Sequence, residues 1–327
     1  SYSVYLVHYP VIAYWFYRPF KPVGGFTATA SDVAIVTAMT VAFSVALYHL
    51  IETPLRKTQS VPRLAGFQAG LVAALVAVFV VAKPLQQMML SPAALKISEA
   101  WEDRGPERCG KFAMLVNVYS KACTIAEAPR ADAPKFLLVG NSHADAIKTA
   151  MAEVARQNGV TLQLFRENCV LGATGCAVSD IADFAASNGV TAIILHNSPT
   201  HTDLAAVRKL IEVAGSKNIK VALIDPVPVF PDDVLEGLYD AQRGSKRPDW
   251  LNQSIDQYKA ANASYLHDAS GLRYPNFSRF NPADLLCLPD CRVISPQGEP
   301  FYFDQGHLTH TGARELAPIY RNILGGR

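Results

Sequence analysis

Long apolar stretches fill the first 82 residues of the chain. As helices, residues 31–51 (SDVAIVTAMTVAFSVALYHLI) and 64–82 (LAGFQAGLVAALVAVFVVA) would each reach roughly 30 Å, the thickness of a hydrocarbon core. We therefore expect two transmembrane helices. The alternative is a pair of buried helices in a soluble protein, but apolar runs of this length are rare in globular cores.

A third apolar stretch, residues 2–17, is rich in the aromatic side chains that collect at membrane interfaces. The chain starts without a methionine just before it, so we expect this stretch to be the end of a helix in a longer natural protein. The segment between the two long runs carries Arg56, Lys57 and Arg63, and short basic loops stay on the cytoplasmic side of a membrane. Residues from 83 onward are therefore expected outside the cytoplasm.

The pattern changes after the apolar part. Residues 83–134 contain five prolines that interrupt short periodic pieces, and we interpret them as an extracytoplasmic linker or extension. From residue 135, short apolar runs alternate with segments of helical periodicity, which predicts a parallel sheet with helices on both faces. The predicted strands are 135–140, 160–165, 191–196 and 219–225, and the predicted helices between them are 144–159, 178–189 and 201–218.

Composition narrows the possible partners. Half of the residues are apolar, only 18% are charged, and the net charge of +2 comes from interspersed charges of both signs. Without a dense basic tract to neutralise phosphates, the chain is not expected to bind nucleic acid.

The positions of the cysteines test whether residues beyond 83 lie outside the cytoplasm. All six lie beyond residue 83, where an oxidising environment would pair them. Zinc binding is the alternative, but the chain has no C-x-x-C pair, so we expect no metal site there. The simplest pairing joins sequence neighbours: Cys109 with Cys123, Cys169 with Cys176, and Cys287 with Cys291. Other connectivities remain open.

We look for site residues directly after the predicted strands, because ligands bind at the carboxyl ends of the strands in a parallel sheet. Ser142 lies in the turn after the first strand, either as a nucleophile at a helix N-terminus or as an ordinary helix cap. Asn197 follows the third strand, where its amide is either an oxyanion donor or a turn residue. The proline-rich segment 225–231 after the fourth strand is expected to wall the site.

An acid and a base lie close together near the end of the chain. Asp304 precedes His307 by three residues, so its carboxylate can accept a hydrogen bond from the imidazole and fix its tautomer. With His310, the same segment can also be interpreted as a set of three metal ligands. We favour the acid–base pair, with His310 as a capping residue.

Two segments resemble the SGNH hydrolase family. VGNSHADA (139–146) resembles its G-D-S-H block, and YFDQGHLTHTGA (302–313) resembles its D-x-x-H-L-S-x-x-G block. Over residues 135–327 the resemblance implies a three-layer α/β fold with Ser142 as nucleophile, His307 as general base and Asp304 as the acid that orients it. Asn141 replaces the aspartate that usually precedes the serine.

The oxyanion blocks depart further from the family pattern. ENCVLGATGC (167–176) resembles a segment of acyltransferase-linked members rather than the usual glycine block, and LHNSP (195–199) replaces G-x-N-D. The resemblance implies Gly172 and Asn197 as oxyanion donors.

The apolar part resembles a second family. SYSVYLVHYPV (1–11) and IETPLRK (51–57) look like the closing helices of the acyltransferase-3 family. The resemblance implies that residues 1–82 are the end of that multi-pass domain plus one extra helix. The complete protein would sit in the bacterial inner membrane, with the domain at 135–327 in the periplasm.

Together the two resemblances imply an O-acyltransferase. Its acceptor would be a hydroxyl of an envelope polysaccharide such as lipopolysaccharide O-antigen. Its acyl donor would be acetyl-CoA, acting through the preceding transmembrane helices, with no cofactor bound to this chain. A carbohydrate esterase with the same triad and a non-catalytic glycan-binding module remain as alternatives.

Overall fold

The computed structural model describes residues 2–16, 20, 28–57, 61–105, 121–165, 169–173 and 175–325. The chain divides into two compact units, residues 1–95 and 96–327.

The first unit is helical. Its helices are α1 (Tyr2–Trp15), α2 (Ala30–Leu47), α3 (Thr53–Lys57) and α4 (Val61–Met89), and a π-helical turn at Tyr48–Glu52 joins α2 to α3. Helix α2 begins with a capping box, in which Thr29 and Asp32 satisfy each other's backbone N–H groups.

Two stretches of this unit, Ala30–Lys57 and Ala65–Met89, are long and apolar enough to cross a membrane. Almost none of their described side chains is buried. A core helix of a soluble protein buries its apolar side chains, so the buried-helix alternative does not fit these two stretches.

The second unit is built on a six-stranded sheet. The strands are β1 (Ala122–Ala126), β2 (Lys135–Gly140), β3 (Thr161–Phe165), β4 (Ala192–His196), β5 (Lys220–Ile224) and β6 (Phe277–Phe280). They lie in the order β1-β3-β2-β4-β5-β6, with β1 antiparallel to β3 and every other pair parallel. The four predicted strands therefore form the parallel centre of the sheet.

Further helices lie among the described residues from 92 onward. They are α5 (Pro92–Ala100), α6 (Ser142–Asn158), α7 (Val178–Ser187), α8 (Leu204–Ser216), α9 (Val234–Gln242), α10 (Ile255–Ala261), α11 (Ala263–Ser270), α12 (Ala283–Leu286), α13 (His310–Arg314) and α14 (Ala317–Leu324). Helices α7 and α8 share one apolar cluster with the strands. Helix α6 packs on β1, β2 and β3 and also contacts helices α13 and α14.

The ends of β2 and β4 are held unusually close. Gly140 pairs with His196, and a Cβ on Gly140 would lie only 1.8 Å from the His196 carbonyl oxygen. Only glycine fits there, because any side chain would collide with backbone. The turns that carry Ser142 and Asn197 therefore start side by side.

Two edge strands were not anticipated. Strand β1 lies within residues 83–134, which the sequence analysis treats as a linker, and residues 96–105 and 121–134 belong to the same unit as the sheet. Strand β6 (FSRF) is only partly buried, and its two central residues, Ser278 and Arg279, are both polar, so it lacks an alternating pattern. Short edge strands bury too little apolar surface to produce a clear sequence pattern.

Two of the three expected disulfides lie among the residues that the structure describes. Cys169 is joined to Cys176, and Cys287 is joined to Cys291. Cys109 lies outside the described residues, so its pairing with Cys123 stays a prediction.

Candidate active site

Asn141 fixes the turn that presents Ser142. Its side-chain oxygen accepts from the backbone N–H of His143 at 3.0 Å and so caps helix α6. Its Nδ2 donates to Ser198 Oγ at 3.0 Å, and its backbone N–H donates to Asn197 Oδ1 at 2.9 Å. The turns after β2 and β4 are thereby locked together, and capping falls to Asn141, which leaves Ser142 free for chemistry.

The loop that carries Asp304 and His307 is held by its own hydrogen bonds. Asp304 Oδ1 accepts from the backbone N–H groups of Gly306 at 2.9 Å and His307 at 2.7 Å. Thr309 then caps helix α13, and a Cβ on Gly312 would lie 2.2 Å from the Phe301 carbonyl oxygen. The helix therefore presses directly on the start of this loop, which limits its movement.

Ser142, His307 and Asp304 form one hydrogen-bonded series. Ser142 Oγ lies 2.6 Å from His307 Nε2, and His307 Nδ1 lies 2.6 Å from Asp304 Oδ2. A carboxylate only accepts, so Nδ1 carries the proton and Nε2 is left to accept from the serine hydroxyl. Ser142 is exposed, so a substrate can reach its oxygen.

Two aromatic rings hold the imidazole of His307. Phe303 stacks on it at 5.4 Å between ring centroids and 14° between planes, and His143 contacts it at 4.3 Å and 38°. Sequence reasoning missed both contacts, although His143 directly follows Ser142 in the motif.

The neighbouring histidines stay neutral. Burial lowers the pKa of His143 to about 3, helped by the nearby His196 and His307. Burial also lowers the pKa of His196, to about 4. Neither ring therefore adds a positive charge beside His307 at neutral pH.

Asp304 is held in its charged form. Burial alone would raise the pKa of its carboxyl group. The hydrogen bonds from the His307 ring and from two backbone N–H groups outweigh this effect, so the pKa lies below its usual value. A carboxylate beside Nδ1 stabilises the imidazolium that forms when His307 takes a proton.

Of the two expected oxyanion donors, Gly172 and Asn197, only Asn197 has a donor group available for a substrate. The N–H of Gly172 donates to the Cys176 carbonyl at 3.0 Å, so it is not free for a substrate in this conformation. Asn197 is buried, and its Oδ1 is occupied by Asn141, so its NH₂ group remains the donor end. In the described part of the chain the backbone N–H of Ser142 has no acceptor, as expected for the first turn of a helix.

His310 does not join the pair formed by Asp304 and His307. Its Nε2 lies 3.0 Å from Glu153 of α6, which also binds Arg314 at 2.8 Å. These contacts fasten α13 to α6 instead of preparing a ligand set with Asp304. Among the residues that the structure describes, no group of three His, Cys, Asp or Glu side chains is arranged to hold a metal ion.

The proline-rich segment after β5 borders the site. Phe230 donates its N–H to the Gln305 carbonyl at 2.8 Å, and the half-exposed Val229 lies against Gly306. Segment 225–231 therefore runs beside the loop of Asp304 and His307, where the sequence analysis expects a wall.

Asp233, which caps helix α9 close to Asp304, should make stability depend on pH. Burial raises its pKa to about 6, above the unfolded value of about 3.9. The contribution of protonated Asp233 to the free energy of unfolding is fully present below about pH 4 and is lost as the pH rises through about 6. Asp233→Asn keeps a good helix cap, so the variant should be more stable at pH 7 by about 1–3 kcal/mol and no more stable at pH 4.

Urea unfolding of wild type and Asp233→Asn at both pH values, followed by near-UV circular dichroism, measures this difference. A difference that is the same at pH 4 and pH 7 would contradict the assignment.

Residues 108–322, about two-thirds of the chain, match the family model described as "SGNH domain (fused to AT3 domains)". The chain belongs to this SGNH family. Its mixed α/β fold with a mainly parallel sheet agrees with the expectation from sequence.

Other comparisons add little to the SGNH assignment. No curated protein matches the chain. Among solved structures, the periplasmic domain of a Salmonella ser. Paratyphi A lipopolysaccharide acetyltransferase is similar, at 13% identity and a TM-score of 0.49. The similar region covers 73% of this chain and 97% of that one.

Proposed function

We propose that this SGNH chain is an O-acyltransferase that uses Ser142, His307 and Asp304 to place an acyl group, acetyl in our proposal, on a sugar hydroxyl. One observation carries the proposal: a hydrogen-bonded serine, histidine and aspartate lie in a chain that also has two helices apolar enough to cross a membrane. The family's description, which names fusion to AT3 domains, supports transfer.

In the first half-reaction, His307 Nε2 accepts the proton of Ser142 as Oγ attacks the carbonyl carbon of the acyl donor. The developing oxyanion receives hydrogen bonds from the backbone N–H of Ser142 and the NH₂ group of Asn197. The intermediate then collapses, the bond to the donor's leaving group breaks, and that group takes the proton from His307. The products are acyl-Ser142 and the freed leaving group.

In the second half-reaction, His307 accepts the proton of the sugar hydroxyl, whose oxygen attacks the acyl-serine carbonyl. The bond from Ser142 Oγ to the acyl group breaks, and the serine recovers the proton from His307. The net result is an ester on the sugar and an unchanged enzyme.

The proposal includes a location. The chain would be part of a multi-pass protein of the bacterial inner membrane, with the second unit in the periplasm and an envelope polysaccharide such as O-antigen as acceptor. Acetyl-CoA would supply the acyl group through further transmembrane helices of an acyltransferase-3 type.

Hydrolysis is the competing reaction, because the exposed Ser142 is open to water as well as to a sugar. Nuclear magnetic resonance of envelope polysaccharide from cells that express the complete protein distinguishes the two. We expect acetyl esters with Ser142 and their loss with Ser142→Ala. More esters in the variant would identify an esterase, and equal amounts would remove Ser142 from catalysis.

A further inference from the structure

A tryptophan and an arginine from the presumed linker lie beside the catalytic loop. Trp101 contacts Phe303 edge-on at 6.2 Å between ring centroids, and Phe303 in turn stacks on His307. The guanidinium of Arg104 lies 4.4 Å from the centre of the Trp101 ring and 4.2 Å from that of Phe303. One aromatic ring therefore separates this pair from the general base.

The segment that carries the pair is firmly attached. The carbonyl of Asp103 accepts from the N–H of His310 at 2.7 Å, and its carboxylate accepts from the N–H of Thr311 at 3.0 Å. Gly105 lies against the side chain of Thr149 on helix α6. Residues 101–105 thus contact both elements that supply the triad, and Trp101 and Arg104 have a fixed position relative to Ser142.

Both side chains are open to a ligand. Trp101 is 39% exposed, although a tryptophan normally buries most of its large apolar surface. Arg104 is exposed too, and within the described residues the only hydrogen bond of its side chain runs from Nε to the Trp101 carbonyl at 2.9 Å. Its terminal N–H groups have no carboxylate partner there, so they are available as donors.

This combination fits a carbohydrate. The C–H face of a pyranose ring is apolar and packs on an indole, while its hydroxyl groups accept hydrogen bonds from a guanidinium. We propose that Trp101 and Arg104 form a binding site for a pyranose of the acceptor polysaccharide and hold it beside the Ser142–His307 pair. The inference rests on the proposed function, because it assigns the place of that function's acceptor.

A binding experiment without turnover tests the site. The probe is de-O-acetylated O-polysaccharide prepared with mild alkali, and the protein is the detergent-solubilised chain with Ser142→Ala. Calorimetry should show an affinity about tenfold lower when Trp101→Ala is added, and a smaller loss with Arg104→Gln. Leu288→Ala, which changes an apolar side chain that is 71% exposed, serves as the matched control and should bind like its parent.

A second readout separates binding from support of the triad. With Ser142 intact, Trp101→Ala should lose much less in hydrolysis of p-nitrophenyl acetate than in affinity for the polysaccharide, because that small ester does not use the proposed sugar site. Parallel losses in hydrolysis and binding would mean that Trp101 merely positions His307 through Phe303, and the inference would fall. It would also fall if Trp101→Ala bound the polysaccharide as well as its parent, or if the parent did not bind it.

The outcome is independent of whether the acyl group goes to sugar or water. If wild type removes acetyl groups from the polysaccharide instead of adding them, the transferase proposal fails. The lower affinity of Trp101→Ala would still support the sugar site.

Discussion

Ser142→Ala should reduce hydrolysis of p-nitrophenyl acetate by about 10³-fold or more, because the attacking oxygen is removed while the rest of the site remains. The substitution should not disturb the fold. Helix α6 is capped by Asn141, and the only side-chain bond of Ser142 that the structure shows is the one to His307. Steady-state kinetics and circular dichroism of the purified chain measure the two effects.

Mass spectrometry adds a direct test of the covalent step. Wild type exposed to the ester should gain one acetyl group on Ser142, and the alanine variant should gain none there. Ser270→Ala, at the end of helix α11, is the matched control and should behave as wild type. An alanine variant that retains wild-type turnover would exclude Ser142 as the nucleophile.

Asp304→Asn should lower the rate of p-nitrophenyl acetate hydrolysis by about 10³- to 10⁴-fold, although it changes only one oxygen to an NH₂ group. The amide oxygen can still accept from the N–H groups of Gly306 and His307, so the loop should keep its shape. The new NH₂ then faces His307 Nδ1, which must become an acceptor. His307 would carry its proton on Nε2 and could no longer take one from Ser142.

The pH dependence separates this tautomer effect from general damage to the protein. Asp304→Asn should stay slow at every pH at which the protein is folded, because its His307 carries the proton on the wrong nitrogen throughout. Asp249→Asn, at an exposed ion pair with Lys246, is the control for an aspartate-to-asparagine change. Near-normal activity in Asp304→Asn would show that the carboxylate does not set the tautomer of His307.

Much of the site lies in motifs that can be read locally. Asp304 and His307 are three residues apart, so a single turn brings them together whatever the rest of the chain does. The turn after β2 is equally local, since an apolar run followed by glycine and a helix N-terminus places Ser142 at the end of a strand. The contacts of the Gly172 N–H were beyond such reasoning, because its acceptor depends on how the loop from Cys169 to Cys176 closes.

The sequence by itself determined the alternation of strands and helices, the two apolar helices and the adjacent acid–base pair, because each depends on periodicity or spacing over a few residues. The contact between Ser142 and that pair depends on the tertiary structure, since Ser142 and His307 are 165 residues apart and local spacing cannot bring them together. The tertiary structure also places Trp101 beside the loop of Asp304 and His307. The contacts that hold residues 101–105 there are long-range, and neither composition nor periodicity specifies such contacts.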